Sequence, residues 1–202
     1  SSQAGGLIGI LRNLRKNKKE ELRILVLGLD NAGKTTILKS LSNEVLPHPA
    51  GHLDITPTQG FNIKNLTHDK FKLNVWDIGG QKALREYWSN YFTNTDALVY
   101  VIDSADTKRV KEAGEELEKL LSVTLQHSGK RTRQRTSPHL RQQTRSSSGI
   151  AARRGNATLT QILKELRVEK LGDRKWTITA CSAKTQEGLE DGLTWLVENV
   201  KK

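Results

Sequence analysis

Methionine is absent from the sequence and cysteine occurs once, as Cys181. A lone thiol excludes an internal disulfide framework and points to a reducing, cytosolic setting. With no base placed beside it by the sequence, Cys181 reads as a packing residue rather than a nucleophile. No apolar run approaches the ~20 residues that a helix needs to cross a bilayer. The opening SSQAGGLIGIL has no basic region ahead of a long apolar core and no small-residue cleavage site, so no secretory signal is expected. Nor does an M-G-x-x-x-[ST] pattern surround Gly5 or Gly6, so myristoylation is not expected there. His48, His52, His68, His127 and His139 share no element at metal-ligand spacing, which argues against a zinc site. One further absence is regional. Residues 129 to 155, GKRTRQRTSPHLRQQTRSSSGIAARRG, hold no acid, no aromatic and hardly any apolar residue.

That stretch carries eight Lys and Arg out of a net charge of +11, so all the other residues together sum to only +3. The basic balance is local, and no nucleic-acid partner is expected from it. A chain of 202 residues suits one well-buried domain.

Organisation follows from periodicity. Across Gly6 to Lys19, Leu7, Ile8, Ile10, Leu11 and Leu14 fall at helical spacing opposite Arg12, Arg15, Lys16, Lys18 and Lys19, which predicts an amphipathic basic helix within residues 1–19. Residues 20–202 then alternate. Arg23 to Gly28 (RILVLG) is a short apolar run suited to a strand buried on both faces, and Lys34 to Leu41 is helix-compatible. Phe61 to Leu66 and Phe71 to Trp76 are strand-like runs at hairpin spacing. Ala97 to Ile102 predicts another buried strand, with a charged helix from about Ala105 to Leu121. Beyond the basic stretch, Leu159 to Leu166 reads as helix, Trp176 to Ala180 as strand and Leu189 to Val200 as a closing helix. Strands alternating with helices imply an α/β fold, a mostly parallel central sheet with helices on both faces.

Gly28-Leu29-Asp30-Asn31-Ala32-Gly33-Lys34-Thr35 fits G-x-x-x-x-G-K-[ST] between a strand and a helix start. Such a loop curls its backbone N–H groups round a phosphate chain, its lysine reaches the β and γ oxygens, and its hydroxyl is available to Mg²⁺. Trp76-Asp77-Ile78-Gly79-Gly80-Gln81 ends the second hairpin strand, where a carboxylate can hold Mg²⁺ through water and a glycine N–H can meet the γ-phosphate, with Gln81 alongside. Between them, Ile55-Thr56-Pro57-Thr58-Gln59-Gly60 places hydroxyls on a Pro- and Gly-bounded loop able to close over a nucleotide.

With GLDNAGKTT, TPTQGFNIK, FKLNVWDIGGQ and TDALVYVIDSAD in place, the chain resembles the ADP-ribosylation-factor-like small GTPases, from about Gly6 to Leu121 and again from Leu159 to the end. The resemblance implies the small-G-protein version of the P-loop fold, a molecular switch that hydrolyses GTP slowly by itself, and GTP, GDP and Mg²⁺ as ligands. It implies nucleotide contacts from Gly28, Asp30, Asn31, Ala32, Gly33, Lys34, Thr35, Thr36, Thr58 and Gly80. From Cys181-Ser182-Ala183-Lys184, Ser182 and Ala183 would meet the guanine oxygen. Thr35, Thr58 and, through water, Asp77 would hold the metal. Lys34 and Gln81 would be catalytic, Gln81 by orienting the attacking water. Phe61, Trp76 and Tyr91 would form an aromatic cluster read by effectors, although simple hairpin packing also accounts for that trio. Implied partners are an exchange factor, a GTPase-activating protein that supplies an arginine, carriers of lipidated cargo, including ciliary cargo, and a membrane surface met reversibly through Gly6 to Lys19. The expected protein is a cytoplasmic monomer with reversible membrane attachment, at the Golgi or the cilium.

Residues 122–158 depart from the family pattern, which has here a buried strand and an N-K-x-D loop whose carboxylate accepts two hydrogen bonds from guanine. Neither is legible in this stretch, which reads as an aberrant, disordered basic segment. Codons compatible with Arg135 to Ser148, read one base later, can spell VPLLIFANKQDLL, the missing strand and loop together. Two accounts follow: compensating changes of reading frame, or a basic insert in an isoform that lost guanine specificity and acts as a non-hydrolysing interaction protein.

Overall fold

The structure, a computed structural model, describes residues 20–43, 57–131, 147–153, 159–167 and 175–200, and for 123–131, 147–153 and 159 it describes the backbone alone. The helix expected within residues 1–19 lies outside the described residues.

Six strands form one sheet: β1 (Glu20–Leu27), β2 (Phe61–His68), β3 (Phe71–Ile78), β4 (Ala97–Asp103), β5 (Ser147–Arg153) and β6 (Trp176–Cys181), in the spatial order β2-β3-β1-β4-β5-β6. Only the edge pair β2–β3 is antiparallel. It is a hairpin whose register runs from Phe61 opposite Ile78 to His68 opposite Phe71, with Asp69 taking a positive φ of 50° in the turn. All other neighbours run parallel, which requires crossover helices. The helices are α1 (Lys34–Leu41), α2 (Lys82–Arg85), α3 (Val110–Arg131) and α4 (Leu159–Leu166) between strands and α5 (Leu189–Asn199) after the last strand, with a 3₁₀ turn at Trp88–Tyr91.

Alternation along the strands divides the core in two. Leu25 and Leu27 of β1, with Leu98, Tyr100 and Ile102 of β4, face Trp88, Leu117 and Leu120 together with Ile162 and Leu166. Leu22, Ile24 and Val26, with Leu73, Val75 and Val101, face Ile37 and Leu38 of α1 and Leu196 and Val197 of α5. A strand buried on both faces reads as a continuous apolar run, which is why RILVLG and ALVYVI are legible as strands.

Two expectations are corrected. The helix expected from Ala105 begins at Val110 and continues to Arg131. Its delayed start has a local cause: Ala105 N–H donates to Asp103 Oδ1 and Asp106 N–H to the Asp103 carbonyl, so the chain turns before it winds. Residues 122–158, expected as one disordered segment lacking a strand, contain the end of α3 and all of β5, which runs parallel between β4 and β6 with Val99 opposite Gly149 and Gly149 opposite Thr177. The physical reason is that ladder hydrogen bonds come from backbone. The gap between β4 and β6 demands a strand, and SSGIAAR, with one charge in seven residues, fills it.

Candidate nucleotide site

Parallel strands send their following loops to one edge of the sheet, and the loop after β1 is one of them. Gly28 has φ 143°, and a Cβ there would strike the Val101 carbonyl, so only glycine lets the loop leave β1 beside β4. Asn31 lies in the left-handed region at φ 61°, and Gly33 at φ 91° is the N-cap of α1. No side chain caps that helix and no acid lies in its first turn, so its leading N–H groups stay available to an anion. Ala32 is buried, its N–H directed at the Leu29 carbonyl at 3.3 Å.

Asp30, Asn31, Gly33, Lys34, Thr35, Thr36, Thr58, Gly80 and Gln81, with Pro57, line one open cleft. The three motifs read from sequence therefore meet in space. Lys34 is buried, and its Nζ donates to the carbonyls of Gly28 at 3.0 Å and Leu29 at 2.8 Å. Burial lowers its pKa to about 8, against the opposing pull of the Asp77 and Asp30 carboxylates. Gly80 closes the other wall. A Cβ on it would run into the backbone of Gly28, Leu29 and Asp30, and its carbonyl accepts Asp30 N–H at 3.2 Å.

The residues expected to hold the metal converge most closely. Thr35 Oγ1 lies 2.9 Å from Thr58 Oγ1 and donates to Asp77 Oδ2 at 2.6 Å. Asp77 is buried, and burial raises its pKa, opposed by the bond from Thr35 and the charge of Lys34. Its Oδ1 is buried with no hydrogen-bond partner among the described residues. Two hydroxyls and a carboxylate with an unused buried oxygen are hard donors, and they suit Mg²⁺, which takes few protein ligands and keeps water and phosphate oxygens for the rest. Gln81 stands across the cleft, its Nε2 donating to the Thr58 carbonyl at 3.1 Å while its buried Oε1 has no partner among the described residues.

Ser182 and Ala183 follow β6 at the same sheet edge but do not line this cleft. Ser182 N–H donates to the Glu187 carbonyl at 3.0 Å and its Oγ accepts Thr185 N–H at 3.2 Å, a self-closed turn. Phe61, Trp76 and Tyr91 do come together. Phe61 and Trp76 stack at 5.4 Å, and Tyr91 sits 6.1 and 6.2 Å from them. Arg23 lies over the Trp76 ring at 4.1 Å, and Phe61 stays 46% exposed, which leaves the cluster a surface.

Sequence reading missed Arg85 and Arg109. Arg85 is buried; its Nε donates to the Gly80 carbonyl at 2.8 Å, Nη1 to Glu112 Oε1 at 2.6 Å and Nη2 to Asp30 Oδ1 at 3.1 Å. Arg109 Nη1 also reaches Asp30 Oδ1, at 3.3 Å. The one available signal was spacing: Arg85 precedes the buried Trp88 by three residues, which puts it on the inward face.

A phosphate loop at the end of the first strand, two hydroxyls and a carboxylate gathered for a metal, and a glutamine beside them define a P-loop nucleotide-binding protein of the small-GTPase class. A model of the ADP-ribosylation factor family matches residues 7–129 and 152–200, passing over the middle of the basic stretch. ADP-ribosylation factor-like protein 3 of Chlamydomonas reinhardtii is 47% identical over 196 residues, 97% of this chain and 99% of that protein. Its namesake in Caenorhabditis elegans is 44% identical over 197 residues, with 97% of each chain covered. ADP-ribosylation factor-like protein 2 of Dictyostelium discoideum is 42% identical over 199 residues, covering 96% of this chain and 95% of the relative. Among solved structures, the Arl6 BBS3 small GTPase of Trypanosoma brucei with bound nucleotide analogue GppNp superposes with a TM-score of 0.69 at 26% identity, covering 89% of this chain and 97% of that one. The chain belongs to the ADP-ribosylation factor family. It is a GTP-binding switch in membrane trafficking and a GTP hydrolase, with GTP, GDP and Mg²⁺ as ligands.

Proposed function

We propose that the switch works through the cleft between the β1–α1 loop and the Asp77–Gln81 turn. Gly28 to Gly33 wrap the phosphates with backbone N–H groups, Lys34 exchanges its two loop carbonyls for β and γ oxygens, and Thr36 continues the wall. Thr35, Thr58 and, through water, Asp77 hold Mg²⁺, which neutralises charge on the phosphate oxygens when bound. Gly80 N–H meets the γ-phosphate. Gln81 orients the attacking water with its amide, and an arginine from an activating protein completes the charge neutralisation. Loss of the γ-phosphate releases Thr58 and Gly80 together, and partners distinguish the two states. Ser182 and Ala183 meet the guanine.

The observation that carries this reading is the meeting of Thr35, Thr58 and Asp77 within 2.9 Å, from three separate segments of the chain. Phe61, Trp76 and Tyr91 serve as the effector surface. Carriers of lipidated cargo, an exchange factor and an activating protein are the partners, and residues 6–19 meet the membrane reversibly. The protein acts as a monomer that moves between cytoplasm and a Golgi or ciliary membrane. Gln81→Leu tests the division of labour, since it removes the water's orienting group but no phosphate contact. GTP affinity is expected to hold while stimulated hydrolysis slows by about a hundredfold or more; equal loss of both would make Gln81 a structural residue.

A further inference from the structure

Asp30 places a carboxylate in a loop that has to hold phosphates, on the wall it shares with Lys34, Thr35 and Gln81. Left to itself, that charge would repel the ligand, and most strongly the ligand with the most negative charge. It is not left to itself. Its Oδ1 takes Arg85 Nη2 and Arg109 Nη1, and Arg109 Nη2 donates as well to the Asp30 carbonyl at 3.2 Å. Neither arginine lines the cleft. Arg109 is itself held by Asp106 at 2.5 Å.

Arg85 does more than cancel a charge. A buried guanidinium persists only where its fork is fully engaged, and here it ties three segments at once. Nη2 holds Asp30, Nε holds the Gly80 carbonyl and Nη1 holds Glu112 on α3, with Glu116 3.8 Å away. Because Gly80 also accepts Asp30 N–H, the two walls of the cleft are joined directly and through Arg85.

We infer that Arg85, assisted by Arg109, is a positioning residue for triphosphate selectivity: it neutralises and holds aside the Asp30 carboxylate and fixes the Gly80 peptide where a third phosphate is sensed. This rests on reading the cleft as the phosphate site. It predicts a difference between two ligands with the same base, so guanine recognition cancels from the comparison.

GTP and GDP affinities are measured in Mg²⁺ for the full chain, Arg85→Ala, Arg109→Ala and each combined with Asp30→Asn. Arg85→Ala is expected to lower the GTP-to-GDP affinity ratio by about tenfold or more, because the freed carboxylate opposes the added phosphate charge. Adding Asp30→Asn is expected to restore most of the ratio. Arg109→Ala, at a side chain 31% exposed, reports the same effect at about threefold should Arg85→Ala fail to fold. A merely structural role weakens both nucleotides alike and gives no rescue by Asp30→Asn, and that result would overturn the inference. Failure of the unaltered chain to bind either nucleotide would instead overturn the phosphate-site reading beneath it.

Discussion

Lys34 sets the pH behaviour of the site. Burial, the largest influence, lowers its pKa from 10.5 to about 8 in the unliganded protein. Phosphate oxygens favour the charged form, so the bound pKa lies above the free one. Binding therefore takes up a proton between those two values, and affinity is full below about pH 8 and falls as pH rises through it. GTP titrations from pH 7 to 9.5 are expected to show affinity dropping toward tenfold per unit above the break; a flat profile would mean that Lys34 makes no phosphate contact. At this scale the sequence was informative where the chemistry is local. Gly28, Lys34 and Thr35 are adjacent along the chain, and their spacing alone encodes the loop. Apart from its spacing from Trp88, Arg85 gave no local signal, for the opposite reason. Its partners Asp30 and Glu112 are 55 and 27 residues away, and in KALREYW it has the composition of a solvated helix.

Among the elements, the 3₁₀ turn after α2 fastens the Asp77–Gln81 turn to the core. Trp88 is fully buried, its indole N–H donates to the Gly79 carbonyl at 3.0 Å, and its ring meets Tyr100 edge-on at 6.4 Å. Trp88→Ala is expected to cost ~3–5 kcal/mol of stability, read from denaturant unfolding, because it leaves a large cavity and an unpaired carbonyl. A cost within ~0.5 kcal/mol, the usual range for surface changes, would contradict this packing. Elements defined by their own pattern were read well from sequence: β1 and β4 by continuous apolar runs, α4 by helical spacing. The far end of α3 and the whole of β5 were not. The far end of α3, SVTLQHSGKR, has no apolar stripe to announce a helix, and β5 takes its place through the backbone ladders it makes with β4 and β6.

At the scale of the whole molecule, the sheet is complete but the base end of the site is not. Parallel order brings the ends of β4, β5 and β6 together, with Arg153 of β5 in register with Asp103 and Cys181. No N-K-x-D sequence occurs in the chain, so no carboxylate from such a loop is available to guanine. Replacing Arg135 to Ser147 by VPLLIFANKQDLL supplies that carboxylate and offers the β5 slot a more apolar strand than SSGIAAR. Two charge-assisted hydrogen bonds, each worth ~1.5–3 kcal/mol, are expected to raise the GTP-to-ATP affinity ratio by about a hundredfold or more. An unchanged ratio would show that the existing chain already reads guanine by another route.

The central claim is that this cleft binds GTP with Mg²⁺ and hydrolyses it. Its most direct test is a titration of the full chain with GTP, in Mg²⁺ and in excess chelator, with phosphate release followed over hours and Lys34→Ala measured alongside. Mg²⁺-dependent binding and slow release of phosphate are expected, both lost in Lys34→Ala. Affinity unchanged by Lys34→Ala, or tight binding with no phosphate released, would contradict the claim.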